Sequence, residues 1–197
     1  MSARHRICDE SRRDSRPRRS SVAAELDRVA RTLFTEKMIG TTASTIILGV
    51  ISDTHGLLRP EAVRALSGSN RILHAGDVGA PQILETLARI APVLAIRGNV
   101  DTGAWARALP ETETVEISGV SIYLLHDLGH LDLKPEAAGF RAVIYGHSHQ
   151  PKIEERNGVL YFNPGSAGPR RFNLPVSVGR LTIAAGEAQA EWVELKV

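Results

Sequence analysis

The chain has 197 residues, 43% of them apolar and 23% charged, a composition of a globular protein near one-domain size rather than of a disordered or fibrous chain. Its longest apolar run, Ile46 to Ile51, falls far short of the roughly 18 to 20 residues with which a helix crosses a bilayer, so no membrane span is expected. A single cysteine, Cys8, excludes an internal disulfide and a cysteine-based zinc cage, and a reducing, cytoplasmic setting is the corresponding expectation.

The net charge of +2 is unevenly spread, because residues 1–37 hold ten Lys/Arg against six Asp/Glu and the remainder 14 against 16. The first 21 residues include seven arginines and only Met1, Ala3, Ile7 and Cys8 as apolar members. Such a segment cannot bury enough surface to offset its ordering entropy, so residues 1–37 are read as a basic, disordered extension ahead of a domain spanning 38–197. The arginines leave contact with nucleic acid open, and Met38 is an alternative start. Apolar residues at 22, 26, 29, 30 and 33 would allow a short amphipathic helix over Val22 to Phe34.

From Thr45 onward strand-like runs alternate with helical ones. Ile46 to Ile51 reads as a buried strand, Pro60 to Leu66 as a short helix, Arg71 to Ala75 as a strand, Pro81 to Ala91 as a helix, and Val93 to Ile96 as a strand. Thr114 to Ile117 and Val120 to Leu125 flank Ser118-Gly119, and Ala142 to Tyr145 follows. Asn157-Gly158 marks a hairpin between Ile153 and Val159 to Phe162, and Val176 to Leu195 divides into two strands around Ala185-Gly186. A βαβαβ front half and an antiparallel back half argue for an α/β fold of stacked sheets flanked by helices.

Five of these strands run into polar residues of metal-binding type: Asp53-Thr54-His55, Gly76-Asp77, Gly98-Asn99-Val100-Asp101, His126, and Gly146-His147-Ser148-His149. Each block alone has a plainer reading, Asp53 as a cap and the glycine dipeptides as turns. Their common placement beyond strand ends, where α/β sheets bind ligands, groups Asp53, His55, Asp77, Asn99, His126, His147 and His149 into one site. Alternate residues of an extended segment share a face, so D-x-H and H-x-H would each aim two side chains together. Oxygen and imidazole donors without thiolate suit divalent first-row ions, and seven ligands are too many for one. With Asp77 bridging, two ions receive four contacts each. Their charge of +4 against −2 from two aspartates leaves room for a hydroxide and a phosphodiester anion.

In this order, over residues 46–183, the blocks resemble the calcineurin-like metallophosphoesterases, in particular the small single-domain phosphodiesterases of bacteria and archaea. The resemblance implies a four-layer β-sandwich of two mixed sheets flanked by helices. It implies one ion held by Asp53, His55, Asp77 and His149, and a second by Asp77, Asn99, His126 and His147. Two positions depart from the family pattern: Val100 stands where larger relatives carry a histidine thought to act as general acid, and Asp127 where a glycine usually follows the metal histidine. Ala80 replaces the tyrosine of purple acid phosphatases, which argues against a tyrosinate-bound ferric site. Asn163-Pro164-Gly165-Ser166 matches a turn of the small branch, and one of Arg170 and Arg171 could reach a phosphate. His74 is read as a core histidine or a partner of a ligand, and Asp101 as a general acid or a turn residue.

The resulting expectation is a metal-dependent phosphoesterase, foremost a phosphodiesterase, in which a hydroxide bridging two divalent ions attacks phosphorus. Asn99 and His126 would be the catalytic residues, stabilising charge and orienting the phosphate. Manganese is the first choice of ion, with nickel, iron or zinc as alternatives. The expected partner is a small phosphate ester, with a homodimer left open. The alternative is a scaffold that keeps the fold without turnover, as the retromer scaffold subunit does within the same superfamily.

Overall fold

Alternation of side chains along the first strand builds two cores at once. In this computed structural model, which describes residues 45–197, β1 (Ile46–Ile51) sends Leu48 and Val50 into one core and Ile51 into another. The basic extension, the Val22 to Phe34 helix and the boundary at Met38 lie outside the described residues.

β1 pairs in parallel with β2 (Arg71–His74), which pairs in parallel with β3 (Val93–Ala95). The crossovers carry α1 (Pro60–Leu66) and α2 (Pro81–Ala88), each opening on a proline, whose missing N–H is not needed in a first turn. The second helix stops three residues short of the expected Ala91, because Pro92 disfavours helical geometry at the residue before it. A Cβ at Gly49 would lie 2.6 Å from Leu66 Cδ2, so the bare backbone of β1 is what admits α1 this close.

Six further strands follow β4 (Thr112–Ile117): β5 (Val120–Leu125), β6 (Ala142–Ile144), β7 (Lys152–Arg156), β8 (Val159–Asn163), β9 (Ser177–Ala184) and β10 (Glu187–Glu194). The sheet orders are β10-β9-β1-β2-β3 and β4-β5-β6-β8-β7. Both sheets are mixed: the first is parallel over β1-β2-β3 at one side, and the second has a parallel centre, β5-β6-β8. The expectation of an antiparallel back half therefore needs correcting: β5-β6 and β6-β8 are parallel, and only β4 and β7 join antiparallel at the edges. The long segment after β5 returns the chain to the starting end before β6, and between β6 and β8 the edge strand β7 makes the return. The last hairpin rejoins the first sheet, β9 lying antiparallel to β1 with Leu181 opposite Leu48.

Between the sheets lie Leu48, Val50, Leu73, Ile122, Leu124, Ile144, Phe162 and Leu181, all fully buried, each worth about 1.5 to 3 kcal/mol of transfer free energy. The helices cover the outer face of the first sheet, Ala62, Leu66, Ile83 and Leu87 packing on Ile51 and Ile72. The outer face of the second sheet is covered by residues 127–140, where Leu128, Leu131, Leu133 and Phe140 pack on Tyr123, Val143 and Tyr161. That fourth layer contains a 3-10 turn, Leu128–His130, in place of an α-helix. The parallel strands place the carboxyl ends of β1 to β3 on one edge of the first sheet and those of β5 and β6 on one edge of the second. The two edges meet: His126 Nδ1–H donates to Ala75 O at 2.8 Å, and a Cβ on Gly146 would stand 2.8 Å from Asp53 Oδ2.

Candidate metal centre

The loops leaving β1 and β2 continue side by side. Asp53 N–H donates to Gly76 O at 3.0 Å, His55 N–H to Asp77 O at 2.9 Å and Gly56 N–H to Val78 O at 2.9 Å. Along this ladder the backbone turns left-handed at Asp53 (φ 54°), His55 (47°) and Asp77 (54°), and again at His147 (66°) and His149 (58°). These turns aim the side chains of D-x-H and H-x-H together. The shared direction was expected from strand alternation, but it arises from left-handed residues at roughly 1 to 2 kcal/mol each, held by the surrounding hydrogen bonds.

All seven residues converge. Asp53 Oδ1 lies 3.3 Å from His149 Nε2 and 3.9 Å from His55 Nε2, and the two imidazole nitrogens are 3.2 Å apart. Asp77 Oδ2 lies 3.8 Å from His55 Nε2 and 3.3 Å from His126 Nε2. Asn99 Oδ1 completes the row, 3.1 Å from both His126 Nε2 and His147 Nδ1. Asp77 Oδ2 thus stands between two sets of donor atoms. Asp53, Asp77, His126 and His149 are buried, His55 is partly covered, and Asn99 and His147 face solvent.

The donor set suits cations. Asp53 Oδ2 accepts the His147 N–H at 3.2 Å, but its buried Oδ1 has no hydrogen-bond partner, a costly arrangement for a carboxylate unless a positive charge faces it. His126 Nδ1–H donates to Ala75 O at 2.8 Å, which leaves Nε2 as a bare lone pair opposite the Asn99 and Asp77 oxygens. Asp77 Oδ1 is likewise occupied, accepting the Val100 N–H at 3.0 Å. Without a cation the same crowding moves protons. Burial disfavours the charge on His126, yet the Asp77 carboxylate and the Ala75 carbonyl outweigh it and raise its pKa. Asp77 is opposed by burial and lowered by hydrogen bonds from His126 and the Val100 amide. Burial lowers His55 against the pull of Asp77 and Asp53, with His149 and Arg171 adding to the decrease.

The other residues singled out in the sequence take definite places. Asp101 is buried and accepts three amides, from Val78 at 3.0 Å, Gly79 at 2.8 Å and Gly98 at 2.9 Å. Both of its oxygens are used, so it ties the loops after β2 and β3 together and is not a general acid. His74 is fully buried, with Nε2 3.0 Å from Thr54 Oγ1 inside the Asp53-Thr54-His55 loop. The Asn163-Pro164-Gly165-Ser166 turn braces both ligand loops: Asn163 Nδ2 donates to Gly146 O at 2.7 Å and Ser166 Oγ to Asp53 O at 3.0 Å. Its motif was visible in the sequence, whereas this bracing depends on β8 ending beside the two loops. Val100 is half-exposed, and Asp127 turns one oxygen toward His147 Nε2, 3.7 Å away.

Residues 46–186 match the family model of the calcineurin-like phosphoesterase superfamily domain. A probable metallophosphoesterase of Methanothermobacter thermautotrophicus is 36% identical over 158 residues, which cover 74% of this chain and 91% of that protein. The phosphodiesterase YfcE of Escherichia coli is 29% identical over 164 residues, covering 66% of this chain and 84% of the relative. The structure of vacuolar protein sorting 29 from Cryptosporidium parvum is similar in fold, with a TM-score of 0.62 at 21% identity over 77% of this chain and 98% of that one. Among the described residues no helix is long and apolar enough to cross a membrane. A matched model spanning most of the chain, together with these relatives, settles one point: the chain belongs to the calcineurin-like phosphoesterase superfamily.

Proposed function

We propose that the protein is a phosphodiesterase working with two divalent metal ions. One is held by Asp53, His55, Asp77 and His149, the other by Asp77, Asn99, His126 and His147. The observation that carries the reading is the pair of donor sets meeting at Asp77 Oδ2, one of them containing the unpartnered Asp53 Oδ1. When bound, such ions supply a water acidic enough to act as nucleophile near neutral pH and a positive field for the phosphoryl oxygens.

The chain's own residues do the rest. Asp77 fixes the spacing of the two sets through its second oxygen, while the Val100 amide holds the first. Asn99 keeps Oδ1 turned to His126 and His147, which leaves its Nδ2 donors for an oxygen of the substrate phosphate. His126 has Nδ1–H committed to Ala75 O, so its part is to fix Nε2 rather than to donate to the phosphate. Manganese remains the first choice of ion and a small phosphate diester the first choice of substrate.

The test is metal content by mass spectrometry together with hydrolysis of bis(4-nitrophenyl) phosphate in added Mn²⁺. Two equivalents of metal with metal-dependent turnover support the reading. Two equivalents without turnover on any diester would favour a binding role for the same fold.

A further inference from the structure

Asp127 stands beside the candidate centre without belonging to either donor set. Its Oδ1 accepts the Gly129 N–H at 2.8 Å, which anchors the carboxylate at the head of the 3-10 turn Leu128–His130 and turns Oδ2 toward His147 Nε2 at 3.7 Å. The other ring nitrogen of His147, Nδ1, lies 3.1 Å from Asn99 Oδ1. Of the four histidines of the site His147 is held least by packing: 47% of its side chain is exposed and its ring meets His126 only edge-on, with centroids 5.3 Å apart. Packing therefore does not fix the ring. A histidine ligand that presents one nitrogen to a metal is ordinarily oriented by a hydrogen bond from the other, as the Ala75 carbonyl does for His126.

We propose that Asp127 is the positioning residue for His147: its carboxylate faces Nε2–H at 3.7 Å, favours that tautomer by charge, and turns the bare Nδ1 toward Asn99 Oδ1 and the second ion. The inference rests on the two-ion reading above. Two nearby groups do not compete for the carboxylate. His130 Nδ1 is 3.9 Å from the same oxygen, but its side chain is 86% exposed, and an exposed pair of this kind holds little. Arg97 lines the same groove of about 630 Å³ as Asp127 and His147, but its guanidinium is taken by Glu111 at 2.5 Å. The charge of Asp127 is thus left to His147.

The test is a calorimetric titration of the full chain with Mn²⁺, comparing wild type, Asp127→Ala and Asp127→Asn, with thermal melts in chelator alongside. Asp127→Ala is expected to weaken one of two equivalents about 10- to 100-fold and the other by less than about threefold. Asp127→Asn keeps an oxygen for the Gly129 amide but sets an NH₂ opposite Nε2–H, so it should weaken the same equivalent about as much as Asp127→Ala while its melt in chelator matches wild type. That match separates ring positioning from loss of the turn. Two equivalents bound unchanged by both variants, or the two equivalents weakened alike, would overturn the inference alone. A wild-type protein that takes fewer than two equivalents would overturn the two-ion reading and the inference with it.

Discussion

A methyl group at Gly98 would stand 2.1 Å from Asp77 Oδ1 and 2.4 Å from the Asp77 amide nitrogen. The bare Cα of Gly98 is the wall against which the central carboxylate is set. Both distances are far inside van der Waals contact and one is to backbone, so Gly98→Ala must displace Asp77, the loop after β3, or both. Activity should fall by at least about tenfold, with one or both metals lost, the range expected when the support of a metal site is damaged. Asp77→Asn should cost more, over about a hundredfold, since it removes charge from the atom placed between both donor sets. Turnover and metal content of the two variants side by side would check the order. An Asn variant that keeps both ions and most of its rate would remove Asp77 from the bridge.

On the proposed reading, the residue after Asn99 is Val100, and no imidazole stands there to protonate a leaving oxygen. General acid help is typically worth about 10² to 10⁴-fold, so rates should depend steeply on leaving-group acidity, nitrophenyl diesters being fast and alkyl diesters slow. The Val100 side chain is 42% exposed and its amide already holds Asp77 Oδ1, so a histidine can be introduced without displacing core. Val100→His should raise the alkyl rates more than the nitrophenyl rates. Wild-type rates that stay level across leaving groups, with chemistry shown to be rate-limiting, would mean that another acid is already in place.

Asp101 is not that acid. Its two oxygens accept the amides of Val78, Gly79 and Gly98, and Asn in its place would set an NH₂ against at least one of those donors. Leaving a buried amide unpaired costs about 1 to 3 kcal/mol, so Asp101→Asn should lower stability by that order in denaturant melts. Its leaving-group profile should keep the wild-type slope. A changed slope at unchanged stability would return Asp101 to the list of proton donors.

His74 gives the fold a pH limit. Burial lowers its pKa to about 4 against the opposing charge of Asp101, and Thr54 Oγ1, which donates to Val78 O at 2.9 Å, accepts from the neutral Nε2–H. In the unfolded chain the same group titrates near 6.5. Between those values the unfolded state binds more protons, so stability falls as pH drops from about 6.5 toward 4 and is unaffected by this group above that window. His74→Gln removes the titration. The wild type should lose up to about 2 to 3 kcal/mol more than the variant between pH 7 and 4.5 in chelator. Parallel losses in the two proteins would mean that His74 is not the group responsible.

The sequence by itself determined the donor atoms, because ligand chemistry is a property of residue type and five blocks of oxygen and imidazole donors each follow an apolar run. It also determined most strands and both helices, since Ile46 to Ile51, Pro60 to Leu66 and the Asn157-Gly158 turn are local signals. Strand partners were not legible there. Whether β6 runs parallel or antiparallel to β5 depends on where the loop between them closes, and the return of β9 and β10 to the first sheet joins residues more than a hundred positions apart. The roles of Asp101, Asn163 and Ser166 followed only from that closure, since each holds a loop brought to it by a different strand. The same holds for the left-handed turns at Asp53, His55, Asp77, His147 and His149: Asp and His tolerate such a backbone better than most residues, but that tolerance does not select it, and it persists because hydrogen bonds from neighbouring loops hold it.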